Sequence, residues 1–77
     1  MKAYVLIEIT PGNVNSVVKG LREMEGVTSA DSLTGIYDAV AIVENTDPEA
    51  IRKIVTEKLH TMDGIHRTLT CFAVEVP

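Results

Sequence analysis

The sequence predicts an α+β fold with the element order βαββαβ, and three observations carry that expectation. Residues 2–9 alternate, with Ala3, Val5, Ile7 and Ile9 on one side and Tyr4, Leu6 and Glu8 on the other, which is the two-residue period of a strand. Two later segments have helical spacing, one on Val14, Val17, Val18, Leu21 and Met24 and one on Ile51, Ile54, Val55, Leu59 and Met62. Each closes on a similar pentapeptide, Met24-Glu25-Gly26-Val27-Thr28 and Met62-Asp63-Gly64-Ile65-His66. Two strand–helix–strand halves joined by a hairpin give the split-βαβ, ferredoxin-like sandwich once both crossovers are right-handed. Such a sandwich has a four-stranded antiparallel sheet with both helices on one face.

Each element follows from local chemistry. Pro11-Gly12 ends the first strand, and Asn13 is placed to cap the first helix. Gly26 stops that helix, because glycine takes the left-handed conformation without a Cβ penalty. Met24 closes the core beneath it, and Val27 opens a weaker second strand over residues 27–34. The turn Thr34-Gly35-Ile36-Tyr37 leads into a strong third strand from Asp38 to Glu44, built on Ala-Val-Ala-Ile-Val. Asp47 before Pro48 reads as an N-cap with proline at the first helical position. Gly64 ends the second helix as Gly26 ends the first, and residues 66–76 form the last strand. The repeated pentapeptide is therefore a helix stop followed by a strand start, a folding signal used twice.

A chain of 77 residues is expected to form one domain, residues 1–77. A single core of this size supplies only about 3–5 kcal/mol, so a staple is expected. The lone cysteine, Cys71, excludes an internal disulfide, and with two separated histidines it makes no familiar zinc spacing. No metal or cofactor is expected, and association remains as the staple. No run approaches the roughly 18 apolar residues of a membrane span. Glu8 interrupts the apolar N-terminal run and no small-residue cleavage site follows, so a signal peptide is not read there. With the single thiol, this points to the cytoplasm. A net charge of −4 with seven scattered basic residues argues against direct contact with nucleic acid, which needs clustered Lys and Arg.

Both faces of the sheet are apolar. The first strand carries Ile7 and Leu6 on opposite sides, the third Val43 and Val40, and the fourth Leu69 with Ala73 against Phe72 with Val74. The helices cover one face only, so the other requires a second layer, and another copy of the chain is the simplest source. At least a dimer through sheet-to-sheet contact is expected, since an open apolar patch is an aggregation liability.

No catalytic constellation is present. Ser16, Ser29 and Ser32 lack a nucleophile elbow, His60 near a helix end reads as a dipole contact, and His66 starts a strand. Cys71, mid-strand among apolar neighbours, reads as a small core residue. Glu8, amid Tyr4, Leu6 and Thr10, must be solvated at an edge or paired across an interface, with solvent the simpler answer. The loop Thr34-Gly35-Ile36-Tyr37-Asp38 is the most informative. Gly35 permits a positive-φ turn or a close backbone approach, Tyr37 offers an aromatic wall with a hydroxyl, and Asp38 a carboxylate at the strand entrance. Together they suit a small zwitterion, with Asp38 on its ammonium and backbone N–H groups on its carboxylate. The same residues also fit a plain hairpin turn in which Asp38 bonds nearby backbone. Thr68 and Thr70, two apart on one face of the last strand, offer hydroxyls to a ligand or simply reflect strand propensity.

Four stretches taken together carry a resemblance: Ile9-Thr-Pro-Gly12, Met24-Glu-Gly-Val27, Thr34-Gly-Ile-Tyr-Asp38 and Met62-Asp-Gly-Ile-His-Arg-Thr-Leu-Thr70. Over residues 2–76 the chain resembles the C-terminal RAM (regulation of amino acid metabolism) effector domain of Lrp/AsnC transcription regulators. The resemblance implies a non-enzymatic βαββαβ module that dimerises through its sheets and assembles further into octamer-like rings. It implies an amino-acid effector bound between dimers, at Gly35, Tyr37, Asp38, Thr68 and Thr70. Those regulators begin with a helix-turn-helix domain, whereas this chain starts at the effector domain's first strand. It therefore resembles a stand-alone RAM protein, with full-length Lrp/AsnC regulators as further partners and no DNA binding of its own. Two other classes share the strand order. A dimeric α+β barrel enzyme of monooxygenase type needs a His ligand or several aromatics in its barrel, and three aromatics in all offer little. An ACT-like regulatory module usually rides on an enzyme.

Overall fold

Alternation in the first strand is realised residue by residue, with Ala3, Val5, Ile7 and Ile9 buried while Tyr4, Leu6 and Glu8 are partly or largely exposed. The computed structural model describes all residues 1–77. Its elements are β1 (Lys2–Ile9), α1 (Val14–Arg22), β2 (Val27–Ser32), β3 (Ala39–Glu44), α2 (Pro48–Lys53), a π-helical continuation of α2 (Ile54–Leu59) and β4 (Ile65–Phe72). The sheet order is β2-β3-β1-β4 with every pairing antiparallel, the ferredoxin-like topology the sequence predicts.

The two helices lie against one face of this sheet. The core there holds 14 buried residues, all apolar, with Ile7, Leu21, Ile51 and Leu59 among the largest. No polar side chain is buried, so the interior rests on hydrophobic burial without internal hydrogen-bond networks. Met24 and Met62 are partly buried against the core, as their places in the repeated pentapeptide require. The pentapeptide glycines both adopt left-handed conformations, Gly26 at φ +93° and Gly64 at φ +97°. They also pack reciprocally. A Cβ on Gly26 would lie 2.6 Å from Ile54 of the second helical segment, and one on Gly64 would lie 2.9 Å from Asn13 beside the first. The sequence echo is thus a structural pseudo-repeat in which each strand entry sits against the opposite helix.

Several boundaries depart from expectation for identifiable reasons. Asn13 stands at the N-cap of α1 but its side chain makes no capping bond. It lies over Gly64 instead, and its carbonyl accepts from Ser16 Oγ and Val17 N, both at 3.0 Å. Asp47 caps α2 as expected, accepting from Glu49 N at 3.0 Å. The second helix is not one regular stripe, because it widens to a π-helix from Ile54 onward. β2 ends at Ser32 and β4 at Phe72, both short of the predicted limits, while β3 starts at Ala39. Glu8 is not at a sheet edge, since β1 is central. Its carboxylate lies 3.7 Å from Arg67 Nε on β4.

Cys71 is not a core residue. It pairs with Tyr4 on the face opposite the helices and is exposed. The register sets out that open face: one row joins Ile42, Tyr4 and Cys71, the next joins Val40, Leu6 and Leu69, and Glu8 with Arg67 closes one end. Tyr4 is 38% and Leu69 46% exposed, so two apolar rows lie across three strands with nothing in the chain above them.

Candidate functional site

Asp38 marks the mouth of β3. Its Oδ2 accepts from Ile9 N at 2.7 Å, its own N–H donates to Ile7 O at 2.9 Å, and its carbonyl accepts from Leu33 N at 2.8 Å. The bond to Ile9 reaches 29 residues back along the chain, so Asp38 ties β3 to the end of β1 rather than closing its own turn. Oδ1 makes no hydrogen bond within the chain and stays available to a cationic group. Tyr37 is half-buried beside it, and Gly35 and Ile36 are exposed at the tip. Gly35 does not use the freedom expected of it: its φ is not positive, and a Cβ there would meet nothing within 4 Å. Gly35 therefore leaves open space at the loop tip instead of admitting a close backbone approach.

Thr68 and Thr70 lie on one face of β4, as their spacing predicts, and because they share rows with Ile7 and Val5 it is the face the helices cover. Both are half-buried. Thr68 Oγ1 lies 2.8 Å from His60 Nε2, and Thr70 makes no side-chain hydrogen bond. With β1 between β3 and β4, strand spacing sets the Cα of Asp38 about 10 Å from that of Thr68 and about 14 Å from that of Thr70. The loop residues and the threonines do not converge on a common cleft within one chain. Thr68 instead lines a cleft of ≈ 310 Å³ with His60, Ile65, His66 and Arg67.

His60 is the residue that sequence reasoning assigned only to a helix-end dipole. Its partner Thr68 lies eight residues away, and His60 directly follows the π-helical turn Ile54–Leu59, an irregularity that α-helical periodicity does not reveal. No group of three or more His, Cys, Asp or Glu side chains converges in a metal-binding arrangement, and no helix is long and apolar enough to cross a membrane.

Comparison with known proteins places the fold in a family. Residues 2–77 match the model of the Lrp/AsnC ligand binding domain family. An uncharacterized HTH-type transcriptional regulator of Pyrococcus abyssi is 28% identical over 74 residues, 96% of this chain and 47% of the relative. The chain therefore spans about half the length of that curated relative. Among solved structures, TTHA0845 of Thermus thermophilus superposes with a TM-score of 0.91 at 32% identity, covering 99% of this chain and 95% of that one. A Neisseria meningitidis transcriptional regulator, solved as a complex with L-Met, shares the fold with a TM-score of 0.84 at 21% identity, covering 96% and 49%. A family match across residues 2–77, on a fold that superposes on a solved relative with a TM-score of 0.91, leads to one conclusion: this chain belongs to the Lrp/AsnC ligand-binding domain family, related to transcription regulators.

Proposed function

We propose that this chain is a non-catalytic, homo-oligomeric module that binds an amino acid and converts its binding into a change of assembly, by itself or together with full-length Lrp/AsnC regulators. The observation that carries the reading is the separation of two half-sites in one chain. Asp38, with a free carboxylate oxygen, suits an ammonium group. The threonines across β1 offer hydroxyls. An α-amino acid carries its ammonium and carboxylate on one carbon, so a cleft between copies, with the loop of one facing β4 of another, accommodates it better than either half alone.

The open sheet face supports the oligomeric part. Tyr4, Leu6, Val40, Ile42, Leu69 and Cys71 form an apolar surface edged by Glu8 and Arg67, a centre-and-rim pattern suited to a second sheet. The net charge of −4 makes direct binding to nucleic acid by this segment unfavourable, so any influence on DNA would pass through a partner. The mechanism is linkage: a ligand favours the assembly that forms its cleft by as much as its affinity for the two assemblies differs.

A thermal-shift and sizing screen against the amino acids tests the reading, with L-methionine, the compound held by the Neisseria regulator, as a natural first choice. A ligand at 100 times its Kd stabilises by about 2.7 kcal/mol, a rise of about 10–20 °C for a domain of this size. If no amino acid at millimolar concentration changes the melting temperature or the assembly, the reading fails.

A further inference from the structure

The sheet has two free edges, and the chain treats them differently. At β2 the edge is covered by a side chain: Arg22 Nε donates to Ala30 O at 2.8 Å, and its Nη2 lies 3.4 Å from Asp31 Oδ1. The exposed residues of β2, Thr28, Ser29, Asp31 and Ser32, are all polar. A capped, polar edge of this kind resists pairing with another strand. β4 is the opposite edge and has no such cover. Ala73 N donates to Lys2 O at 2.8 Å, and the register sets Tyr4 against Cys71 and Leu6 against Leu69. Bonded and non-bonded pairs alternate in an antiparallel ladder. Arg67, Leu69 and Cys71 therefore bond to β1, while Thr68, Thr70 and Phe72 turn their backbone N–H and C=O groups outward.

The chain then runs past its neighbour. β1 begins at Lys2, so beyond Ala73 no strand remains to pair with, which is why β4 stops at Phe72 although the apolar alternation continues to Val76. Phe72 shares a row with Ala3, and alternation carries Val74 and Val76 to the same side. Val74 is 83% and Val76 87% exposed, so the stripe has no cover within the chain. On the other side lie two charges with little to satisfy them. Glu75 borders a hollow with Lys2, Glu44 and Ala73 and makes no ion pair. Arg67 meets Glu8 only through Nε, at 3.7 Å.

We propose that β4 pairs antiparallel with β4 of a second copy, about a two-fold axis at Cys71, joining two sheets edge to edge. Two constraints select that register. Only outward-facing residues exchange bonds across the new ladder, so Thr68, Thr70, Phe72 and Val74 must face members of the same set. Among the registers this allows, the one centred on Cys71 sets Arg67 opposite Glu75 of the second copy, and does so twice because a two-fold contact is isologous. The adjacent allowed registers set Glu75 against Ile65 or Leu69 instead. Opposite charges facing across strands are favourable and like charges are not. The same register lays Phe72 beside Thr70 and Val74 beside Thr68, which gives the bare stripe cross-strand partners. Cys71 then faces Cys71 as a non-bonded pair, with Cα atoms about 4.5 Å apart, inside the span a disulfide bridges. The thiol thus reports the register. This edge contact is separate from the packing of the open faces and needs no effector.

The test is cross-linking of the full chain with copper phenanthroline, in which dioxygen takes the two electrons and two protons released as a thiol pair becomes a disulfide. Far-UV circular dichroism checks that each variant is folded. The wild type and Leu69→Lys, which disrupts only the packed faces, are both expected to give a Cys71-linked dimer. Glu75→Arg, beyond the last strand and clear of the core, is expected to slow linking about ten-fold, because two attractive pairs become repulsive. Arg67→Glu is expected to do the same, and Arg67→Glu combined with Glu75→Arg to recover relative to either single change. Linking of the wild type no faster than that of Ser29→Cys in a Cys71→Ser chain, a thiol on β2 of the same open face, overturns the proposal. So does charge reversal without effect, or a double variant no better than its singles. Linking lost in Leu69→Lys but kept in Glu75→Arg assigns the contact to the packed faces and refutes the edge. A synthetic segment 66–77 carrying Cys71→Ser is expected to slow linking, and a scrambled segment is not. Equal inhibition by both assigns the edge to strands of other proteins and overturns pairing with a second copy.

Discussion

Replacing Asp38 separates its structural duty from its proposed role in binding. Its Oδ2 accepts from Ile9 N at 2.7 Å, and Ile9 is only 6% exposed. Asp38→Ala leaves that N–H without its partner at the junction of β1 and β3. Hydrogen bonds to charged groups contribute about 1.5–3 kcal/mol, and Asp38 is only part-buried, so water offsets some of the loss. The lower half of that range applies, about 1.5–2 kcal/mol. In a domain of this size each kcal/mol moves the midpoint by about 4–8 °C, giving a fall of about 6–16 °C. Asp38→Asn keeps an acceptor for Ile9 and removes the charge offered to an ammonium group. Its stability cost is expected below about 1 kcal/mol, in line with a neutral hydrogen bond. Amino-acid stabilisation, by contrast, is expected to fall about ten-fold or more in affinity. Urea unfolding at one fixed protein concentration measures the first effect, because association makes apparent stability concentration-dependent. Ligand-dependent melting measures the second. If Asp38→Ala unfolds within about 0.5 kcal/mol of the wild type, the variation usual for an inconsequential surface substitution, the Ile9 contact does not hold the strand junction and the reasoning is wrong.

Four further outcomes follow from the packing. Leu69→Lys places a charge in the apolar rows of the open face and should abolish the proposed sheet-to-sheet dimer in size-exclusion chromatography while leaving the far-UV circular dichroism unchanged; association undiminished relative to the wild type refutes that interface. Leu21→Ala empties a fully buried site on α1 and should cost about 2–5 kcal/mol by chemical unfolding, most of the about 3–5 kcal/mol that a single core of this size supplies. Gly64→Ala should destabilise by more than about 1 kcal/mol, because φ is +97° and the new Cβ would meet Asn13 at 2.9 Å. Gly35→Ala, with open space around it, should remain within about 0.5 kcal/mol of the wild type.

The apolar periodicities in the sequence were sufficient to determine the number, order and faces of the elements. The period of two in residues 2–9 and the helical stripes at Val14–Met24 and Ile51–Met62 are local, spanning neighbours within a few positions. The two left-handed glycines were equally legible, because a helix stop needs a particular backbone conformation whatever lies around it. The apolar character of both sheet faces was readable for the same reason. Only the tertiary structure decided which pairs of side chains meet. Asp38 bonds Ile9 across 29 residues and His60 meets Thr68 across eight, contacts that depend on strand register rather than on local spacing. Cys71 shows the limit from the other side: apolar neighbours in the chain suggested burial, but alternation puts it on the face that the helices leave open. Burial belongs to the packed sheet as a whole, whereas periodicity belongs to the chain, and the candidate site lies where the two diverge.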